Sequence, residues 1–341
     1  MKLKHLLTLF LLPALGFCQP TVNVYNWANY LPESILTEFT QKTGIVVHYA
    51  QYDSNEMLYA QLKGNPNAGY DVIFPSSYYV KKMAREKMLL PLNKRRIPHM
   101  RQLRRSLMNR SFDRGNRYSV PYIWGLTGIT YNDHYHHRSE LKHWSDLWKP
   151  QFHNQLLLLN DSREAFGIAL IRLGYSINDR NPQHIKQAYH LLQKLMPNVK
   201  VINSVASHNL YLDEDVTAGL GWSGNIMQVH LENPHVKFIY PKPYAMMWID
   251  CMAVPAHAPH PDAAMRFIDF ILSPRIAAKI SSAFNYPPAN PQAMRLLSAK
   301  KRHNPIINPP ASVLKNAKMQ QSVGKAIKWY TYYWQRLKLS T

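Results

Sequence analysis

The order of strand and helix patterns in the N-terminal quarter of the chain is the feature that most constrains the fold. Alternating or β-branched apolar residues predict strands, and apolar residues at helical spacing predict helices. Pro32 and Gly44 bracket the first helical pattern as start and stop signals. In chain order the patterns give strand, helix, strand, helix and strand in "TVNVYNW", "LPESILTEFTQKTG", "IVVHY", "NEMLYAQLKG" and "YDVIFPSS". This order is typical of a parallel sheet with right-handed crossovers, so the sequence predicts an α/β fold.

The rest of the chain continues the mixture of strands and helices. The longest strand pattern is "SVPYIWGLTGITYN", which is apolar on both faces. Further strands are predicted in "LLLLND", "VTAGLGWSGN", "VKFIYPK" and "MMWIDCMAVP". Further helices are predicted in "REAFGIALIRLGY", "PQHIKQAYHLLQKL", "PDAAMRFIDFILS" and "QQSVGKAIKWYTYYWQRLK". The 341 residues are enough for two lobes, and because no Gly/Ser-rich linker divides the chain, two lobes would have to share strands.

Residues 1–18 have the pattern of a secretory signal peptide. Lys2 and Lys4 precede an apolar run that is too short to span a bilayer, and small residues follow it. Cys18 raises the alternative of a lipid anchor, but the bulky Phe17 before it favours cleavage without lipid. No later stretch is apolar and long enough for a transmembrane helix. The sequence therefore predicts an exported protein.

The positive charge of the chain is large and unevenly distributed. The net charge is +21, or +19 after loss of Lys2 and Lys4. Positions 81–117 hold 13 Lys or Arg against two acids, and no acid follows Asp269. Such a balance predicts either a solvated basic face or contact with an anionic surface. No zinc-finger or RNA-binding motif accompanies the charge, so nucleic acid is not a predicted partner.

Polar and aromatic side chains follow several predicted strands directly. In open parallel sheets, ligands bind in the crevice beyond the carboxyl ends of the strands. These positions offer Trp27 and Tyr30, then Ser76 and Tyr78, then Asp161 and Glu164. Asp161 is also a good helix N-cap, and a glutamate three residues later is typical of a capping box. Both interpretations stay open, since a capping carboxylate can also face a cleft.

Asp250 stands out because it lies within the apolar stretch "MMWIDCMAVP". Burying an unpaired carboxylate is costly, so it needs either a fixed partner inside the fold or a cation from outside. Alternation along a strand places Trp248 and Asp250 on one face, and Ile249 and Cys251 on the core face. Cys251 is predicted to be a buried apolar residue without a disulfide partner.

Several stretches match a known family in the same order along the chain. They are "VYNWANYLPESILTEFTQKTGI", "YDSNEMLYAQLK", "YDVIFPSSYYVKKM", "YSVPYIWG", "WSDLWKP", "LIRLGYS", "LQKLMPNV" and "MMWIDCMAVPAHA". From about Val22 to the C-terminus the chain resembles the periplasmic spermidine/putrescine-binding components of polyamine ABC transporters, within the bacterial extracellular solute-binding proteins. The resemblance implies two α/β lobes, each a mostly parallel sheet flanked by helices, with the ligand between them. It places the lobes at 22–126 plus 249–294 and at 127–248 plus 295–341.

The resemblance also implies a set of binding residues. Spermidine is a cation with an apolar stem, so aromatic faces and carboxylates suit it. The implied aromatic walls are Trp27, Tyr30, Tyr78, Trp222, Trp248 and Tyr286. The implied carboxylates are Asp161, Glu164 and Asp250, with Ser76 and Gln320 as neutral members and Gln321 as the alternative to Gln320. Asn29 departs from the family, which has an acid in this loop.

The implied function is capture of spermidine, with putrescine as a further candidate, by closure of the lobes. A monomer would deliver the ligand to permease subunits in the inner membrane, and no catalysis, cofactor or metal is predicted. A solute-binding protein for another cationic amine is the strongest alternative. A protein that binds anionic membrane or nucleic acid through its basic face, and a glycosidase using paired carboxylates, are the others. "HYHH" at 134–137 lacks a recognisable ligand spacing and follows a turn signal, so a solvated loop is predicted there.

Overall fold

The computed structural model describes residues 19–28 and 30–339. The signal-peptide prediction for residues 1–18, the cleavage and lipid alternatives at Cys18, and the departure at Asn29 lie outside the described residues. Between residues 19 and 339, apart from position 29, no helix combines the length and apolar character that a membrane span requires.

The structure is a mixed α/β fold, as predicted. The strands are Thr21–Trp27 (β1), Val46–Tyr52 (β2), Val72–Ile73 (β3), Ser119–Asn132 (β4), Leu156–Leu158 (β5), Val199–Ile202 (β6), Ala218–Trp222 (β7), Val236–Ile239 (β8), Met246–Ala253 (β9) and Lys318–Met319 (β10). The α-helices are Glu33–Thr43 (α1), Asn55–Gly64 (α2), Ser77–Arg85 (α3), Ser162–Arg172 (α4), Pro182–Gln193 (α5), Ser207–Leu212 (α6), Ser223–Glu232 (α7), Pro261–Leu272 (α8), Pro274–Phe284 (α9), Pro291–Leu296 (α10), Ala299–Arg302 (α11), Ala311–Asn316 (α12) and Ile327–Lys338 (α13).

Local signals account for several element boundaries and for two corrections. Gly44 ends α1 in the left-handed conformation (φ 72°), as the sequence predicts. The predicted strand "VTAGLGWSGN" is too long, because α7 begins at Ser223. The predicted C-terminal helix begins too early, because Gly324 takes a left-handed φ of 62° and α13 starts only at Ile327.

One mixed sheet connects the whole molecule. Its strand order is β2-β1-β3-β9-β4-β7-β5-β6, with β10 beside β9 and β8 beside β4. β1 pairs in parallel with both β2 and β3, as the β-α-β-α-β pattern predicts. The whole of β9 pairs antiparallel with residues 119–127 of β4. The carboxyl ends of the parallel strands therefore meet on both sides of a central antiparallel pair.

The apolar residues form two large cores, and β4 and β9 run through both. The first core takes Val120 and Trp124 from β4, whereas the second takes Ile129 and Tyr131. β9 contributes Met246 to the second core and its remaining core residues to the first. Two lobes thus share a pair of crossing strands. The lobe boundaries given by the resemblance stay a prediction.

Candidate functional site

Several buried polar side chains, among them Ser76, Glu164, Asp250 and Gln320, line a cleft beside β9. Ten of the predicted site residues line this cleft, namely Trp27, Tyr30, Ser76, Tyr78, Asp161, Glu164, Trp222, Trp248, Asp250 and Gln320. Tyr286 is the exception and lies behind the aromatic wall, with its ring centroid 5.2 Å from that of Trp248. Among the described residues that line the cleft, none is Lys, Arg or His. The cleft is therefore acidic and aromatic, although the chain is strongly basic.

Asp250 is buried on β9 with two hydroxyl groups as its partners. Tyr30 donates a hydrogen bond to Oδ2 (2.8 Å) and Ser76 donates one to Oδ1 (2.6 Å). The segment containing Ser76 reaches this position because Cys251 N donates to Pro75 O beside β9 (3.0 Å). No ion pair among residues 19–28 and 30–339 includes Asp250. The fixed partners of this carboxyl group are thus neutral.

Asp161 and Glu164 stand at the N-terminus of α4 on the second-core side. Asp161 caps the helix, because its Oδ1 accepts from Arg163 N (2.7 Å) and Glu164 N (3.2 Å). The predicted capping box is not formed. Instead, Glu164 Oε1 accepts from Thr127 Oγ1 (2.8 Å) and Trp222 Nε1 (3.3 Å) in the cleft. The partial positive charge of the helix N-terminus favours two carboxylates at this place.

Asn55, which was not predicted from the sequence, connects the two acidic ends of the cleft. Ser76 N donates to Asn55 Oδ1 (3.0 Å), which fixes the orientation of the amide. Asn55 Nδ2 then donates to both Ser76 Oγ and Tyr78 OH, each at 3.0 Å. Because both hydroxyl oxygens accept from Asn55, their own hydrogens point onward, from Ser76 to Asp250 and from Tyr78 to Asp161 (3.1 Å). Asn55 therefore orients hydrogen-bond donors toward the ionised form of both carboxyl groups.

The aromatic side chains are held rigidly around the cleft. Trp27 Nε1 donates to Phe74 O (2.8 Å), and its ring packs on Tyr52 at 4.9 Å between centroids. Trp248 faces Gly125, its register partner on β4. A Cβ atom at position 125 would lie 2.3 Å from the Trp248 ring, so glycine is what lets the indole lie flat over β4.

Several polar atoms in and beside the cleft have no protein partner. Within the described chain, Glu164 Oε2, Gln320 Nε2 and Trp248 Nε1 are buried and make no hydrogen bond. Buried polar groups in native proteins are nearly always paired, so these three atoms are exceptions, as are seven other buried polar atoms of the described chain.

Burial changes the protonation of the cleft acids. It raises the pKa of Asp250 to about 7, although the hydrogen bonds from Ser76 and Tyr30 act in the opposite direction. Burial also raises the pKa of Asp161 and of Glu164, and the neighbouring Asp161 raises that of Glu164 further. The pKa of Glu56 on α2 is raised by burial and by Asp161. Burial therefore favours the neutral form of these carboxyl groups.

Sequence reasoning missed six other residues that line the cleft. They are Ala28, Tyr52, Asp53, Ser204, Val205 and Asn225. Asp53 follows β2, Ser204 follows β6 and Asn225 follows β7, each shortly after the carboxyl end of a parallel strand. The strand-end rule that predicted Trp27 and Asp161 could have found them, had it been applied to these strands.

Comparisons with known proteins identify one family. The model of the family described as "Bacterial extracellular solute-binding protein" matches residues 34–308. The chain is 38% identical over 318 residues to the spermidine/putrescine-binding periplasmic protein of Escherichia coli K12, covering 93% of this chain and 91% of that protein. It is 40% identical over 319 residues to spermidine/putrescine-binding periplasmic protein 1 of Haemophilus influenzae, covering 93% and 89%. The solved structure of a putative spermidine/putrescine ABC transporter from Listeria monocytogenes superposes with a TM-score of 0.90 at 32% identity, covering 94% of this chain and 99% of that one.

Proposed function

The chain belongs to the bacterial extracellular solute-binding protein family, and on this premise we propose that it captures a polyamine for an ABC transporter. Spermidine is the proposed ligand, with putrescine as a second. The ligand would lie in the cleft between the two cores, against the predicted aromatic and acidic residues.

Asp250 carries this proposal. A buried carboxyl group without a cationic partner destabilises the fold when it ionises, and its pKa of about 7 reflects that cost. An ammonium group would compensate the charge and form a charge-assisted hydrogen bond, which contributes about 1.5–3 kcal/mol. Trp248, two residues earlier on the same strand, offers a face to the methylene groups beside that ammonium. Only a ligand with both a cation and an apolar stem uses both features.

The opposite end of the cleft supports a ligand with more than one amine. Asp161 and Glu164 stand at the N-terminus of α4, which packs in the second core, whereas Asp250 lies on β9, which packs mainly in the first. Two separated acidic positions fit a chain with ammonium groups at both ends. Trp222 and Tyr78 would cover the segment between them, where an ammonium over an aromatic face gains about 0.5–2 kcal/mol.

Capture would proceed by closure of the two lobes over the ligand. A ligand shifts a conformational equilibrium only by contacting the two states unequally. Here Asp250 and Tyr30 belong to elements of the first core, and Glu164 lies on α4, which packs in the second core. The closed state, in which the ligand touches both groups, would therefore be stabilised by binding.

We further propose the partners and the compartment. The relatives named above are periplasmic by their descriptions. The protein would act there as a monomer and present the closed form to the permease subunits of the transporter. Export would depend on residues 1–18.

Calorimetry and thermal shift with spermidine, putrescine, spermine and cadaverine test the proposal. A ligand at about 100 times its dissociation constant should raise the free energy of unfolding by about 2.7 kcal/mol. The ranking of the four amines separates spermidine capture from capture of another cationic amine. Absence of any shift with all four would contradict the proposed function.

A further inference from the structure

Residues 93–117 form a preorganised surface segment on the first core. It consists of short 3₁₀ turns at Lys94–Arg96, Pro98–Gln102, Arg105–Leu107 and Arg114–Asn116. Ile97, Met100, Leu103, Leu107 and Phe112 anchor these turns in the core. The ends of the segment are tied together, since Leu92 N donates to Arg117 O (2.7 Å) and Asn109 N donates to Asn116 Oδ1 (2.7 Å). The surface side chains thus project from a fixed frame.

The exposed side chains of this segment are predominantly cationic. We call the seven exposed ones the arginine-rich face: Lys94, Arg95, Arg96, Arg101, Arg105, Arg114 and Arg117. Within the described residues only Arg96 of these seven has an ion pair, with Asp262 (2.7 Å). The one acid of the segment, Asp113, is buried and accepts from the backbone N–H groups of Arg117, Tyr118 and Ser119. Six cations therefore face solvent without a carboxylate partner.

The composition of the face limits the kind of partner. The large exposed apolar residues of the described chain are Met57, Tyr135, Val205, Leu231, Leu296, Tyr332 and Leu339, and none belongs to the segment. Hot spots of protein interfaces are Trp, Tyr and Arg side chains packed at a water-excluded centre, and single-stranded nucleic acid stacks on exposed aromatic rings; this segment offers arginines but no large exposed apolar or aromatic side chain. A diffuse array of cations without anchors matches a diffuse array of anions. Anionic lipid headgroups provide such an array, and they attract each nearby Lys or Arg independently.

We propose that the arginine-rich face docks the protein on an anionic lipid membrane surface. The docking is electrostatic and reversible, and it acts within a Debye length of about 8 Å at physiological ionic strength. It needs no insertion, because the face has no large apolar side chain to insert. The proposal goes beyond ligand capture and does not rest on the identity of the ligand, since the face and the cleft share no residue.

Co-sedimentation of the purified protein with phosphatidylcholine vesicles, with and without phosphatidylglycerol, tests the proposal. We expect retention only on the anionic vesicles, falling steeply as salt is added. In the test variant Arg95, Arg101, Arg105 and Arg114 are replaced together by glutamine. Each loss should lower the partition about fivefold, and the four together several hundred-fold.

A matched control removes the same charge from the other half of the molecule. Lys142, Lys186, Lys194 and Lys200 are exposed, lie in segments that pack on the second core, and take part in no ion pair among the described residues. Their combined replacement by glutamine should leave the partition within about tenfold of the original, because distant charges are screened. Equal losses in both variants, or retention of the arginine variant on anionic vesicles, would overturn the proposal. Binding to a DNA duplex at physiological ionic strength without vesicle binding would do so as well.

Both variants should keep their circular dichroism spectra and their affinity for spermidine. Intact spermidine binding with unchanged vesicle binding contradicts only the docking proposal. Vesicle binding that responds to the arginine substitutions without any polyamine binding contradicts only the proposed ligand.

Discussion

The cleft and the arginine-rich face differ in the sign of their charges and in how deeply the charged side chains are buried. The cleft is lined by Asp53, Asp161, Glu164 and Asp250 and, among described residues, by no basic side chain. The face presents seven exposed cations, and the only acid in its segment is buried. A unit charge pair at about 4 Å interacts by about 1 kcal/mol in water, but by about 4 kcal/mol at an effective dielectric of about 20. Depth therefore decides which charges select a ligand, and a net charge of +21 does not prevent capture of a cation.

Asp250→Asn tests the buried side of this comparison most strongly. Loss of the carboxylate removes a charge-assisted contact in a desolvated site, so spermidine affinity should fall about 100-fold. Asp53→Asn is the matched control, because Asp53 is exposed at the same cleft. Its replacement should lower spermidine affinity by less than about fivefold. Calorimetry measures both. Equal losses of affinity in the two variants would show that burial of the carboxylate does not determine its contribution to binding.

The same variant distinguishes a ligand site from a structural acid. Folding raises the pKa of Asp250 from 3.8 to about 7, so the ionised form destabilises the ligand-free protein at pH 8. Asp250→Asn should therefore stabilise the ligand-free protein at pH 8, by up to about 4 kcal/mol. Denaturant unfolding at that pH measures the change. A ligand-free protein that unfolds on this substitution would identify Asp250 as structural.

The pH dependence of affinity should come from the cleft and not from the face. A bound cation requires ionised carboxylates, so binding releases protons and affinity rises with pH. For Asp250 alone the gain is about tenfold between about pH 6 and pH 8, given its pKa of about 7. Over the range from about pH 4 to about pH 7 the free energy of unfolding of the ligand-free protein should fall, because the folded state binds more protons than the unfolded chain.

Calorimetry in buffers of different ionisation enthalpy measures the protons released. The arginine variant described above should keep this pH dependence. Asp250→Asn should lose the tenfold gain in affinity between about pH 6 and pH 8 that Asp250 contributes. A flat pH profile for the unmodified protein would contradict the raised pKa of the cleft acids.

Gly125→Ala tests whether the aromatic wall depends on the close contact between β4 and β9. The added Cβ would lie 2.3 Å from the Trp248 ring and displace it. Overpacking of this kind costs about 1–3 kcal/mol of stability, and because the displaced indole lines the cleft, we also expect about a tenfold loss of affinity. Gly64→Ala is the control, since a Cβ there meets no atom within 4 Å. Unchanged affinity in Gly125→Ala would mean that Trp248 does not position the ligand.

Asn55→Leu tests the hydrogen-bond connection between the acidic ends. Removal of the amide frees the hydroxyls of Ser76 and Tyr78 to turn away from Asp250 and Asp161, at about 0.5–1.5 kcal/mol per bond. Affinity should fall about fivefold. Asn198→Leu is the control, because Asn198 is also buried but donates to Leu147 O and Lys149 O in the second core. It should lower stability without lowering affinity.

The smallest effect should be on the rate of capture. The positive field of the surface repels a polycation at long range, so added salt should speed association by a few-fold. The arginine variant should associate faster than the unmodified protein at low salt. An on-rate that falls steeply with salt in stopped-flow measurements would contradict a repulsive surface.

The sequence predicted what depends on local pattern, and missed what depends on contacts between distant segments. The β-α-β-α-β order, the turn at Gly44 and the burial of Cys251 follow from periodicity and residue type, and all are confirmed. Asn55 was not predicted, because its hydrogen bonds to Ser76 and Tyr78 join positions that are 21 and 23 residues apart in the sequence. The capping-box interpretation of Glu164 was wrong, because Thr127 and Trp222 compete for its carboxylate from elements that no local pattern connects to α4.

The crossing of β4 and β9 between the cores also sets a time order on synthesis. The first core takes residues 22–124 from one part of the chain and requires β9, which ends at Ala253. The end of β9 lies about 130 residues after position 124, which at ~5–20 residues per second delays its arrival by roughly 6–26 s, and α8 and α9 of the same core follow later still. During that interval β3 lacks its antiparallel neighbour and the core remains open on one side. A growing chain of this design stays incompletely folded until most of it has left the ribosome.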